Sequence, residues 1–187
     1  MTSTSPGSTT SAYRVMTVCT GNICRSPMAE VVLRDRFEAA GLGEVVVLDS
    51  SGISDEETGD PIDPRAADVL REAGYPVPRH RAHRVSARDV AGRDLLLAMT
   101  ARHARALRTL APDAESAGRV RMLRSFDPSA PATSGAGAVA DEALLDVEDP
   151  WYGDRDDFLS VLQQVEAAAD GIVAHVRDEL ARRASPG

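Results

Sequence analysis

The sequence predicts an α/β fold: a parallel sheet of four strands covered by helices on both faces, in three layers, α/β/α. Three observations carry that expectation. Short strand-like runs alternate with capped helical segments along the chain, the pattern of a parallel sheet wrapped by its crossover helices. Leu95-Leu96-Leu97-Ala98-Met99 is apolar at every position, as a strand buried on both faces requires. The stretch from Val18 to Pro27 reads as strand end, tight loop and helix start, and open α/β sheets bind ligands at such junctions.

The elements follow in order. Tyr13-Arg14-Val15-Met16-Thr17-Val18 is the first strand. Ser26 fits the N-cap of the next helix, with Pro27 at its first position. Val45 to Leu48 is the second strand. Asp63-Pro64 opens a helix that Gly74 stops. Ser86-Ala87-Arg88-Asp89 is a short capped turn, and the third strand, Leu95 to Met99, follows. Thr100 caps a helix running to about Leu110, and Val120 to Leu123 is the fourth strand. The last helix shows Phe158, Leu162, Val165, Ala169, Ile172, Val176 and Leu180 at spacings of three and four, a core-packing stripe.

A chain of 187 residues suits one domain with a real core. We expect that domain over 12–184, after a polar, Ser/Thr-rich disordered tail at 1–11 that lacks the apolar stretch of a signal peptide. Ser129 to Ala140 reads as a flexible inserted loop. The net charge is −8, and all 21 basic residues are Arg. That balance argues against nucleic-acid or anionic-membrane partners, and no apolar run approaches membrane-spanning length. Two cysteines, both in one loop, argue against a disulfide framework and for a reducing, cytoplasmic setting.

The loop Cys19-Thr20-Gly21-Asn22-Ile23-Cys24-Arg25-Ser26 carries the chemistry. Gly21 and Asn22 can adopt the positive φ angles of a backbone wrapped around an anion. Loop N–H groups and the helix dipole then converge on one point, the design of a phosphate cradle. The same field favours the thiolate of Cys19. Arg25 adds a planar fork for two phosphate oxygens. Together they describe attack on a phosphate ester through a phosphocysteine intermediate, with no cofactor. His83 and His103 have no partners at metal-ligand spacing. Cys24 reads equally as a packing residue or as a thiol that closes a disulfide onto oxidised Cys19.

The segment Val18-Cys19-Thr20-Gly21-Asn22-Ile23-Cys24-Arg25-Ser26-Pro27-Met28-Ala29-Glu30 resembles the low-molecular-weight protein tyrosine phosphatase family. Ser51-Gly52, Asp63-Pro64-Arg65, Leu97-Ala98-Met99, Val120-Arg121-Met122-Leu123 and Asp149-Pro150-Trp151-Tyr152-Gly153 fall in the family's order. The resemblance implies a four-stranded sheet with flavodoxin-like winding and tyrosine-phosphorylated proteins or peptides as substrates. It implies Cys19 as nucleophile, Arg25 as phosphate clamp and Asp149 as general acid, with Asn22, Ser26 and His80 as supporting hydrogen bonders. Thr20, Gly21, Asn22, Ile23 and Cys24 would line the phosphate site, and Trp151 and Tyr152 would wall a slot for the phenyl ring. The family usually has Tyr where Trp151 stands, and Asp where Thr100 stands. It often has an aromatic where this chain has Asp55-Glu56-Glu57; a carboxylate there loses the ring contact and repels phosphate, unless Glu56 turns outward. Two other readings stay open: a protein-arginine phosphatase, against which Ile23 and Trp151-Tyr152 count, and a weakly active phosphate-binding module.

Overall fold

The computed structural model describes residues 11–132 and 142–185. The expected N-terminal tail, Ser11 apart, and the part of the expected inserted loop after residue 132 lie outside them. Four strands, β1 (Tyr13–Cys19), β2 (Val46–Gly52), β3 (Leu95–Ala98) and β4 (Val120–Met122), form one sheet in the order β2-β1-β3-β4. Every pairing is parallel, and Cys19 at the end of β1 lies opposite Gly52 at the end of β2. The helices are α1 (Arg25–Ala39), α2 (Pro64–Glu72), α3 (Ala87–Ala91), α4 (Ala101–Leu110), α5 (Ala114–Gly118) and α6 (Arg155–Ala184).

The strand period of two separates the core into two halves. Val15, Leu95 and Leu97 face α1, α2 and α6, with Phe37, Leu70, Phe158 and Ile172 packed between. Met16, Val18, Leu96 and Ala98 face the other way, onto Ala104 and Leu107 of α4. A fully apolar β3 is thus explained, because both its faces are covered, and the three-layer α/β/α expectation holds.

Two elements differ from the sequence reading. β2 runs on through Asp49, Ser50, Ser51 and Gly52. Its last residues are polar yet buried, because their hydroxyls and carbonyls are consumed by the loop that follows β1. Helix α1 begins at Arg25, so Ser26 is not its N-cap. Cys24 occupies that position with no side-chain capping bond, because the Ser26 hydroxyl is turned inward to the Cys19 thiol. The other expected caps form: Asp63 accepts from Arg65 N, Ser86 and Asp89 make a capping box, and Thr100 accepts from His103 N.

Candidate active site

The loop between β1 and α1 closes on itself at the carboxyl edge of the sheet, where both central strands end. Asn22 is its pivot, with φ +60° and no exposure. Its side chain is fully used. Nδ2 donates to Ser26 Oγ and Ser50 Oγ, each at 3.0 Å, and Oδ1 accepts from His83 N at 3.1 Å. His80 Nε2 lies 2.6 Å from the Asn22 carbonyl. These bonds offset the cost of a left-handed conformation in a residue with a Cβ. Gly21 is different from expectation: its φ is not positive. Its missing Cβ makes room instead, since a Cβ there would lie 2.9 Å from Glu57 Cγ. Gly52 is needed for close approach, because its Cβ would sit 2.5 Å from the Thr20 carbonyl oxygen.

Among the described residues, the loop N–H groups from Thr20 to Ser26 have no protein acceptor. Cys19 Sγ lies 3.0 Å from Ser26 Oγ, and both are buried. A serine hydroxyl held there can donate to a thiolate. Ser26 Oγ also lies 3.2 Å from the Ser51 carbonyl, and Thr17 Oγ1 donates to the Ser26 carbonyl at 2.8 Å. Cys24 is buried beside the same cavity. Burial, then Asp63, Cys19 and Asp149, push its thiol far above the ordinary range, so Cys24 stays protonated.

Arg25 is 3% exposed. Its Nη1 donates to the Val147 carbonyl at 3.0 Å, and its Nη2 to Asp149 Oδ2 at 2.5 Å and Thr20 Oγ1 at 3.4 Å. Its buried Nε has no partner. An orphaned guanidinium donor at the floor of a cleft is costly unless an anion meets it.

Of the four Asp-Pro pairs, only Asp149 reaches this cleft. Asp63 caps α2, and Asp127 is tied to Ser129 N and Oγ in a turn. The cleft has a volume of about 260 Å³. Cys19, Ile23, Cys24 and Arg25 are among its lining residues, as are Trp151 and Tyr152, with Glu56 and Glu57. Glu56 is thus part of the cleft's lining, with its Oε2 accepting from Ser54 Oγ at 3.2 Å. Trp151 and Tyr152 are both exposed, at 39% and 97%. Arg65 props this segment from below: it donates to the carbonyls of Trp151 and Gly153, each at 3.2 Å, and to Asp63 Oδ2 at 2.9 Å. Its guanidinium also stacks over Phe158 and Trp151, 4.7 and 5.9 Å from the ring centroids.

Sequence reasoning missed four contributors. Ser50 receives Asn22 and donates to Glu30 Oε2 at 2.6 Å. His103 contacts Thr20, Val147 holds Arg25 through its carbonyl, and Arg65 splints the aromatic segment. Buried polar residues at Ser50 and His103 were the available signal; a backbone carbonyl such as Val147 leaves none.

The fold and cleft define a class: a flavodoxin-like α/β protein whose first strand leads into a loop of N–H groups without protein acceptors among the described residues. The sequence profile described as low molecular weight phosphotyrosine protein phosphatase matches residues 14–182, and the chain belongs to that family. It is 47% identical over 173 residues to a low molecular weight protein-tyrosine-phosphatase of Streptomyces coelicolor, covering 92% of this chain and 99% of that one. It is 47% identical over 165 residues to low molecular weight protein-tyrosine phosphatase A of Mycobacterium tuberculosis, covering 88% and 92%. The crystal structure of YfkJ from Bacillus subtilis superposes with a TM-score of 0.77 at 29% identity, covering 92% and 99%.

Proposed function

We propose that this protein hydrolyses phosphotyrosine in protein or peptide substrates through a phosphocysteine intermediate. In this reading the phosphate sits in the loop, its oxygens held by the free N–H groups and the Arg25 fork. Cys19 Sγ attacks phosphorus while the bond to the phenol oxygen breaks, and Asp149 gives that oxygen a proton. The Asp149 carboxylate then takes a proton from a water that attacks the phosphocysteine. Inorganic phosphate leaves, and the Ser26 hydroxyl, 3.0 Å from Sγ, steadies the departing thiolate. Asn22 and His80 support the loop's shape.

One observation carries the reading. Cys19, Arg25 and Asp149 line a single cleft together with Trp151 and Tyr152. A cytoplasmic location goes with this reading, since a reducing compartment suits a nucleophilic thiol and two free cysteines. The test is Cys19→Ser on p-nitrophenyl phosphate, a phosphotyrosine peptide and a phosphoarginine peptide. We expect wild type to turn over the first two and the variant neither, because a hydroxyl stays protonated, with vanadate binding retained. Near wild-type hydrolysis by Cys19→Ser overturns the mechanism; preferred turnover of phosphoarginine overturns the substrate.

A further inference from the structure

We infer that the cleft is built for phosphotyrosine flanked by a cationic side chain, with Glu56 and Glu57 as the receiving carboxylates; this rests on the function proposed above. The cleft has two ends of opposite character. At its floor, Arg25 is buried with an unpartnered Nε, and the loop N–H groups stand free. That end calls for an anion. Glu56 and Glu57 line the same cavity.

Neither glutamate has a basic partner among the described residues, although burial and then a hydrogen bond with the Asp60 carboxylate raise the pKa of Glu57. No described Arg makes a salt bridge to Glu56 or Glu57, although the chain spends its Arg residues freely around them. Arg84 pairs with the adjacent Asp55 at 3.5 Å, and Arg65 with Asp63 at 2.9 Å. Glu56 Oε2 accepts only from Ser54 Oγ, at 3.2 Å. Glu57 is packed over the loop itself, since a Cβ on Gly21 would meet its Cγ at 2.9 Å. Carboxylates without a basic partner beside a phosphate dianion repel it, Glu56 foremost, since Glu57 shares a hydrogen bond with Asp60. A substrate bringing an Arg or Lys next to its phosphotyrosine converts that repulsion into attraction on both carboxylates. Charges exposed at the rim are screened over about 10 Å at 0.1 M salt, so the preference is local and salt-sensitive. A phosphotyrosine with acidic neighbours meets the same rim with like charge and is disfavoured.

The test uses matched phosphotyrosine peptides with Arg, Ala or Glu flanking the Tyr, hydrolysed by the full-length protein at low and high salt. For wild type we expect kcat/KM to be roughly 3–10-fold higher for the Arg peptide than for the Ala peptide. The difference should lie in KM and shrink at high salt. In Glu56→Gln and Glu57→Gln the Arg-to-Ala ratio should fall toward one, most fully in the double variant. Asp35→Asn removes one exposed charge from α1 instead and should leave the ratio standing. Equal kcat/KM for the Arg and Ala peptides in wild type overturns the inference while the phosphatase reading survives. A ratio that falls equally in Asp35→Asn shows a whole-molecule charge effect and overturns it too. No hydrolysis of any phosphotyrosine peptide overturns both.

Discussion

His103 Nε2 lies 3.0 Å from Thr20 Oγ1, joining the first turn of α4 to the loop that holds Cys19. On its other side His103 Nδ1 lies 3.0 Å from Thr100 Oγ1, and Thr20 Oγ1 accepts from Arg25 Nη2 at 3.4 Å. A buried imidazole thus stands two hydrogen bonds from the guanidinium.

Burial, then the charges of Arg25 and Arg102, push His103 ionisation down from the usual 6.5 to about 3. The sign follows. Between those values the unfolded chain binds a proton that the folded chain refuses, so folded stability drops as pH falls from 6.5 toward 3. Denaturant unfolding of wild type and His103→Gln at pH 7 and pH 5 should show it. Wild type should lose about 1–2 kcal/mol more than the variant over that interval. Parallel losses would mean that His103 is charged in the fold.

Asp149→Asn should lower kcat for aryl phosphates by roughly 10²–10⁴-fold, most for poor leaving groups. Asp127→Asn should not, because that carboxylate is committed to Ser129 and Arg124. Steady-state kinetics over a leaving-group series decides, and the reverse ranking would move the acid to Asp127.

Peroxide should inactivate the protein reversibly. Cys24 rests protonated, so as its sulfur attacks the sulfenic acid of oxidised Cys19 its proton would pass to the departing hydroxide, forming the disulfide and releasing water. Dithiothreitol should restore wild type but not Cys24→Ser. Mass spectrometry that finds only sulfinic or sulfonic acid at Cys19 in the wild type sinks this idea.

Gly52→Ala should distort the loop without unfolding the sheet, because the added carbon meets the Thr20 carbonyl and Asn22 N. We expect a higher dissociation constant for inorganic phosphate and a lower kcat/KM. Calorimetric titration with phosphate matching wild type would show that the loop shifts freely.

The strands, the three layers and the tight loop between β1 and α1 were legible because each rests on local pattern: the apolar β3, the Cys-x5-Arg spacing, the caps at Asp63 and Thr100. The misreadings share one cause. Ser26 resembles an N-cap and Ser50-Ser51 resembles a loop because their side chains serve partners distant in sequence, which propensity does not encode. His103 has no partners at metal-ligand spacing in the sequence, and the hydrogen-bond partner it has in the fold, Thr20, is 83 positions away. Gly21 offers backbone freedom to a reader of the sequence, whereas the fold uses its small volume beside Glu57.

Arg65 fastens the Trp151–Gly153 segment to the start of α2 by two carbonyl bonds and two ring contacts. The Asp55–Thr58 turn is fastened as well, by the Thr58 N–H to Asp55 carbonyl bond, by Ser54 N–H to the Thr20 carbonyl on one flank and by Gly59 N–H to the Ala82 carbonyl on the other. On the proposed function, a ring entering the cleft would meet two walls whose backbone is already ordered, and little ordering entropy would be left to lose on binding.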